Sequence, residues 1–416
     1  MNHDADVLII GCGAIGVCSA YYLAKQGLRV SIVEKGEIAS GCSGANAGLI
    51  VASHSIPMAA PGVLSQALKW MLKPASPFYI KPRFDAALFS WLWQFRKSSA
   101  LKRMHEGLRV LRDLNYASLE LFDRLIREES LEYNYQKKGW LMVYMTEQGF
   151  KQSLKEAEIL HSSDIELEIL NVEETLEMEP TLRPEICGGV FFPGDAHLDP
   201  ANFIQALAER LEELGVNIQT ETELLEFKTS GGSITAVRTN RGDFRAKQFL
   251  LTSGAWTSAL VKKLGLRLPV QPAKGYSISA KRPDTCPERP LYLSEAKVAV
   301  TPLEDVLRFA GTLELTGMDF SINPRRMKAI IEAAKVYLRQ IEDLGIVKTW
   351  CGLRPCTPDG LPIIDFIPGY KNMIVATGHG MLGITLAPIT GKLISQLICE
   401  QIPDLSLNPF RLTRFR

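Results

Sequence analysis

The sequence predicts an α/β protein in which a domain built on a parallel sheet is interleaved with a second domain built on a mixed or antiparallel sheet with helices. Three observations predict it. Near the N-terminus an apolar run, residues 7–10, flows straight into the glycine-rich stretch Gly11-Cys12-Gly13-Ala14-Ile15-Gly16. Two later apolar runs, 249–252 and 373–376, also end in glycine turns. Between the first turn and the others lies far more chain than a loop holds, so a second unit must be inserted there.

The bulk numbers agree. At 416 residues the chain exceeds one ordinary core. Hydrophobic residues at 46% and charged residues at 22% are globular values. A net charge of +1 gives no field for nucleic acid. Six scattered histidines and eight cysteines without a CxxC pair predict no metal site and no disulfide framework. That cysteine usage fits a reducing compartment, the cytoplasm. The N-terminus lacks a basic stretch and reads as a strand, not a signal peptide. No apolar run is long enough to span a bilayer.

The first turn has all the parts of a Rossmann-type dinucleotide site. Strand 7–10 is apolar throughout, as a buried parallel strand should be. The glycines allow a tight turn and close backbone approach to a pyrophosphate, and the helix expected at 14–25 offers free N–H donors at its start. Gly27 ends that helix, and a second strand, 29–33, ends in Glu34. Glu34 would accept ribose hydroxyls and repel a 2′-phosphate.

An NAD-type domain would continue into further βαβ units. Here the chain turns instead into the small-residue stretch 41–48, which can pass its backbone close to a flat ring. The next helix–strand pair has Asp199 as N-cap, Pro200 at the first helical position, a helix to residue 214, Gly215 beyond its end and a strand at 216–220. A sheet interrupted in this way is the habit of FAD enzymes with a separate substrate domain. Residues 253–256 and 377–383 then follow strands at the same sheet edge, and an apolar helix is expected from about 384 to 399. Further helices are expected at 107–129, 149–161 and 324–344, and further strands at 139–144, 274–280, 298–301 and 308–311. The FAD-binding domain is expected to comprise 1–57, 190–268 and 350–416, and the substrate domain 58–189 and 269–349.

The stretch 350–365, WCGLRPCTPDGLPIID, holds one arginine, Arg354, between glycine, leucine and prolines. It reads as a rigid turn that holds a guanidinium ready for a partner. Such a fork matches a carboxylate with two parallel hydrogen bonds.

Taken together, VLIIGCGAIGV, SGANAGLI, AAPGV followed by LKWM, AKGYSI, GLRPCTPDGLPII and ATGHGMLGIT resemble the FAD-dependent D-amino acid dehydrogenases of the small subunit type, within the glycine oxidase and D-amino acid oxidase superfamily. The resemblance covers residues 7 to about 390 in order. It implies that Gly11, Gly13, Gly16 and Glu34 hold the ADP half of FAD, with Ala14, Ile15 and Lys35 beside them. Ser43, Asn46, Ala47, Gly48 and Leu49 line the flavin ring. Leu224 lies by the adenine, and Gly254 and Trp256 by the pyrophosphate. Gly378, His379, Gly380, Leu382, Gly383 and Ile384 sit at the flavin pyrimidine edge, where His379 either donates to the ring or caps the helix. Arg354 binds the substrate carboxylate, with Tyr276 and His54 as further candidates for the same pocket. FAD is expected to be non-covalent, although some relatives tether flavin through a cysteine near Cys351.

The implied activity is oxidative deamination of a D-amino acid, D-proline and hydroxyproline included. A hydride passes from Cα to flavin N5, and electrons go to a carrier such as a membrane quinone. The alternative is an oxygen-using oxidase of glycine, sarcosine or D-amino acids. The stretch 77–97, PFYIKPRFDAALFSWLWQFRK, bears on the difference. Aromatic residues there are fringed by Lys73, Lys81, Arg83, Arg96, Lys97, Lys102 and Arg103. Such a pattern belongs either to a peripheral contact with the inner face of the cell membrane or to a buried helix with a solvated basic rim.

Overall fold

The computed structural model describes residues 4–63, 65, 67, 76–129, 131, 134–341 and 344–415. The LKWM stretch at 68–71, Lys73 and positions 342–343 of the expected helix 324–344 lie outside the described residues.

Strand β1 (Ala5–Ile10) leads into α1 (Ala14–Lys25) and β2 (Val30–Val33). There follow β3 (Leu49–Ile50), β4 (Phe78–Ile80), α2 (Ala86–Ser98), α3 (Leu101–Glu129) and β5 (Trp140–Tyr144). Next come α4 (Glu147–His161), β6 (Glu168–Leu170), α5 (Val172–Met178), β7 (Gly188–Phe192) and β8 (Ala196–His197). The chain then forms α6 (Pro200–Glu213), β9 (Asn217–Gln219), β10 (Leu224–Ser230), β11 (Ser233–Thr239), β12 (Gly242–Phe244), β13 (Ala246–Leu251) and α7 (Thr257–Lys262). Its last third holds β14 (Gln271–Lys281), β15 (Leu291–Leu293), β16 (Val298–Pro302), β17 (Val306–Leu315), α8 (Pro324–Tyr337), β18 (Ile346–Cys356), β19 (Ile363–Phe366), β20 (Met373–Thr377) and α9 (Ala387–Ile398).

Two large sheets organise these elements. The first runs β19-β20-β13-β1-β2-β9 and is parallel except for β19. Its central strands are buried on both faces, which is why residues 7–10 are apolar without alternation. Helix α1 packs against this sheet, with α9 and α6 alongside. A Cβ on Gly391 of α9 would lie 2.6 Å from the Cys18 backbone, so that glycine sets how closely α9 approaches α1. Asp199 caps α6 with bonds from Ala201 N–H and Asn202 N–H, as its sequence signals predict.

The second sheet runs β18-β14-β17-β16-β15-β5-β7-β6, with β4 pairing β17. Helix α8 packs on one face of it. The domain boundaries expected at 190 and 350 fall inside β7 and β18, two strands of this sheet.

Three expectations need correction. The stretch around Arg354 is not a turn but the end of β18, an edge strand antiparallel to β14. Prolines belong on edges because they lack a ladder donor, and Pro355 sits opposite Pro272, beyond the reach of β17. Helix α8 stops at Tyr337, earlier than 344. Leu338 turns extended and bridges Leu182, so a tertiary contact overrides the helical pattern. Helix α9 starts at Ala387 rather than 384, because residues 382–386 first form turns that carry the backbone past the sheet edge.

Candidate active site

Strand β1 lies between β2 and β13, and β13 lies beside β20, all parallel. Their three glycine turns therefore meet at one sheet edge. Gly11 has φ +116°, open only to glycine without strain. A Cβ on Gly16 would fall 2.0 Å from Gly11 O, so the third glycine lets the helix touch the turn. Thr252 Oγ1 donates to Gly11 O (2.9 Å), Ser253 Oγ to Ile10 O (2.9 Å) and Thr377 Oγ1 to Gly254 O (3.1 Å). These hydroxyls tie the three turns together.

Glu34 leans over the first turn and accepts Cys12 N–H (2.8 Å) and Gly36 N–H (3.0 Å). Thr222 N–H donates to the Glu34 carbonyl, which brings the Leu224 segment to the same strand end. Lys35 Nζ lies 3.6 Å from the centre of the Trp256 ring. Helix α1 starts at Gly13 with no side-chain cap and no acid in its first turn. Ser43 Oγ accepts Ala14 N–H there (3.1 Å). A helix start without acid or cap favours an anion, so these residues fit the pyrophosphate of a dinucleotide.

The small-residue loop is shaped from within and held from outside. Asn46 Nδ2 donates to Ser43 O (2.6 Å) and its Oδ1 accepts Gly48 N–H (2.8 Å). Gly48 has φ +72°, and a Cβ there would meet Leu198 O at 2.3 Å. Leu49 pairs with His197, and its carbonyl accepts Thr385 Oγ1 (3.1 Å). From the second sheet, Ser277 Oγ donates to Ala45 O (2.9 Å) and buried Arg308 Nη1 to Asn46 O (3.0 Å).

Beside this loop opens a cavity of about 1420 Å³. Asn46, Ala47, Leu49, His54, Arg354, Leu382 and Ile384 all border it. The loop, the last glycine turn and Arg354 thus border one space. The guanidinium donates to Thr312 O (2.8 Å), and among the described residues no carboxylate pairs with it. Burial pulls its pKa down. Trp350, Gly352 and Arg354 share one face of β18, with Gly275 directly across from Gly352. A Cβ on Gly275 would lie 2.1 Å from Arg354 Nη1 and 2.4 Å from Cζ. A Cβ on Gly352 would strike the Trp350 ring at 1.9 Å. Two facing glycines therefore make a bare floor on which the guanidinium and the indole lie flat.

His54 borders the cavity and meets Trp140 edge-on at 6.0 Å. Burial, with Lys297 nearby, pushes its pKa down to about 4, so it is neutral at pH 7. Tyr292 stands between Trp140 (5.5 Å) and the field of Arg354. Tyr292, Trp350, Gly275 and Arg308 escaped the sequence reading. Their only signal is strand alternation, and strand register is invisible without the partner strand.

The side chains of two candidates turn away from Arg354. Tyr276 is 1% exposed and its hydroxyl donates to Glu314 (2.9 Å), on the α8 side of the sheet. It borders the cavity, but its ring stands on the face opposite Gly275 and Arg354. His379 turns inward as well. Its Nε2 meets Thr390 Oγ1 (3.1 Å) in α9, and burial drives its pKa down to about 3. Only its main chain stays at the site, where His379 bridges Cys356 and Gly380 N–H donates to Pro355 O (2.9 Å). Gly13, Lys35, Leu224, Gly254 and Trp256, expected on the ADP side, and Gly378 of the last glycine turn lie around the sheet edge and do not border the cavity.

Comparison with known proteins agrees with this geometry. The family model described as FAD dependent oxidoreductase (DAO) matches residues 6–397. The D-amino acid dehydrogenase of Vibrio atlanticus is 33% identical over 99% of this chain and 100% of that protein. The D-amino acid dehydrogenase of Vibrio cholerae is 35% identical over 99% of both chains. Among solved structures, glycine oxidase from Geobacillus kaustophilus superposes with a TM-score of 0.79 at 25% identity, covering 99% of each chain. A glycine-turn cradle, a backbone loop beside a cavity and a full-length match converge on one assignment: the chain belongs to the DAO family of FAD-dependent oxidoreductases.

Proposed function

We propose that this protein is a D-amino acid dehydrogenase. The observation that carries the reading is Arg354, a guanidinium without a carboxylate partner among the described residues, laid on a glycine floor beside the small-residue loop. The preference for D-amino acids rests on relatives of that name at 33–35% identity.

Bound FAD supplies the hydride acceptor. The chain's own groups do the rest. Arg354 takes the substrate carboxylate through charge-assisted bonds, worth roughly 1.5–3 kcal/mol each. Trp140, Tyr292 and Trp350 wall the cavity and exclude water from the reacting carbon. Neutral His54 adds no positive charge that would disfavour the amine's approach. FAD is held non-covalently. Cys351, the residue suited to a tether, points its Sγ at Phe320 O (3.0 Å) on the face away from Arg354.

Electrons pass to a membrane quinone, and α2 makes a peripheral contact with the inner face of the cell membrane. Phe84 (106%) is exposed just before the helix, and Phe89 (58%) and Trp93 (59%) are exposed on its outer side, with Arg96 and Lys97 at its end. The acid Asp85 is spent on Arg83 and on capping the helix. No described helix is long and apolar enough to cross a membrane.

The test is an anaerobic titration of the purified holoenzyme with paired D- and L-amino acids, proline and hydroxyproline included. Bleaching of the visible flavin band by D-enantiomers alone, with slow recolouring in air, is expected. Fast recolouring in air points to the oxidase reading that the glycine oxidase superposition favours. No bleaching by any amino acid refutes the assignment.

A further inference from the structure

The residues expected at the flavin ring border the cavity of about 1420 Å³, so bound FAD would take part of that space, and the remaining walls have two characters. On one side α4 and the β15–β16 turn bring Lys151, Lys155, Glu156 and Lys297 to its border. On the other side the described border includes the apolar residues Met58, Val63, Ile80, Leu92, Phe95 and Leu313. Leu313 lies on β17 and α4 follows β5, three strands along the same sheet, with Lys297 at the β15–β16 turn between them. The charged border suits a zwitterion, and the apolar border suits an apolar molecule.

The apolar wall is the underside of the helix whose outer side is aromatic and basic. Leu88, Trp91 and Phe95 of α2 are buried in a cluster with Ala273, Leu315 and Cys356. Trp91 stacks on Phe95 at 5.2 Å, and its Nε1 donates to Cys356 O (3.0 Å), two residues from Arg354. Cys356 in turn bridges His379 in the last glycine turn. One short helix thus roofs the apolar end of the cavity and faces solvent with Phe89 and Trp93, and Lys97 Nζ lies over the Trp93 ring at 5.3 Å.

We propose that this apolar lobe is the electron-acceptor site and that it takes the head group of a lipid-soluble quinone, entering beneath α2 from an anionic bilayer surface. This rests on the dehydrogenase reading above. The cationic end of α2 complements anionic lipid, and Trp91, Leu92 and Phe95 of that helix border the same cavity as Arg354. The quinone takes up two electrons and two protons and becomes the quinol. The electrons and one proton come from the reduced cofactor, and the second proton comes from water. Substrate and acceptor then use different ends of the cavity, so the acceptor is not required to displace a bound amino acid.

The experiment uses the holoenzyme and decyl-ubiquinone as probe. Binding is followed by quenching of tryptophan fluorescence, Trp91 being in the lobe, and the flavin band shows that each variant is loaded. Wild type is expected to saturate, and Leu92→Glu to bind the probe at least tenfold more weakly. As a measurement independent of any variant, an azido-quinone is photolysed on wild-type holoenzyme and the labelled peptides are mapped. Label within 78–98 supports the site. Label confined elsewhere, or probe binding unchanged in Leu92→Glu, overturns the site while leaving a quinone-linked dehydrogenase standing. If wild type binds no probe and decyl-ubiquinone fails to recolour substrate-reduced flavin under argon, the site and the quinone reading both fall.

Discussion

Arg354 and Gly275 form one device. A guanidinium is useful for recognising a carboxylate only if its plane is fixed before the substrate arrives. Here the plane is fixed by what is missing, a Cβ at Gly275. Adding one puts a methyl group 2.1–2.4 Å from the end of a flexible side chain, which can swing aside at little cost to folding. Gly275→Ala is therefore expected to leave the unfolding midpoint within a few degrees of wild type and to keep FAD. Its KM for the amino acid should rise roughly tenfold through lost charge-assisted bonds, with a smaller fall in kcat. Arg354→Ala should raise KM by roughly 10- to 100-fold, again with the flavin band intact. Steady-state kinetics and the visible spectrum check both variants, and normal turnover of Arg354→Ala would remove the carboxylate assignment. The arginine was legible in the sequence because a lone charge among glycines and prolines demands a reason. Its platform was not legible, because which residue faces it depends on register with β14. The same blindness explains Tyr276. It is the next residue after Gly275, and a one-residue step on a strand reverses the face.

Elements inherited their legibility from how local their signals are. The βαβ unit, the Asp199–Pro200 helix start and the glycine turns are written in adjacent residues, and the structure follows them closely. Strand β18 was missed because proline and glycine mark turns locally, whereas an edge strand tolerates both. Helix α8 was drawn too long because its end is set by Leu182, far away in sequence. The flavin loop is a mixed case. Its small residues were legible, but the parts that hold it, Ser277 and Arg308, come from the other sheet. That arrangement predicts a positioning role. Arg308→Met should weaken FAD binding about tenfold and shift the flavin absorbance maximum, Arg308→Lys should restore part of both, and dialysis with spectral readout measures them. A purely structural arginine would change stability without moving the spectrum. Helix α2 carries its own prediction, since its exposed side is separable from its buried one. Phe89→Ser with Trp93→Ser should abolish co-sedimentation with anionic vesicles while anaerobic flavin bleaching by substrate persists. Unaltered sedimentation would return α2 to the reading of a buried helix with a basic rim.

At the scale of the whole molecule, the buried ionisable groups set how stability depends on pH. Asp195 is 1% exposed in the turn after β7, where it accepts Ser53 N–H (3.1 Å) and the Ser53 hydroxyl, next to His54. Burial outweighs those bonds and raises its pKa from 3.8 to about 7. Between those values the folded chain keeps a proton that the unfolded chain releases. Stability therefore falls as pH rises from about 4 to about 7, by up to about 1.4 kcal/mol per pH unit from this one group, and the loss is complete above 7. The buried histidines act in the opposite sense. His54 and His197 are pushed down to about 4 and His379 to about 3, mainly by burial. Each is neutral when folded and protonated when unfolded below about 6.5, so each adds stability as pH rises toward that value. The raw pH profile of the protein mixes both effects and isolates neither. Comparison with Asp195→Asn separates them, because the amide keeps the shape and an acceptor for Ser53 but cannot titrate. Relative to wild type, Asp195→Asn should be less stable or equal at pH 4.5, should gain up to about pH 7 and should then level off, as measured by urea unfolding of the holoenzyme at about pH 4.5, 7 and 8. Parallel profiles for the two proteins would mean that Asp195 is already ionised in the folded state. The hydrogen bonds from Ser53 would then outweigh its burial.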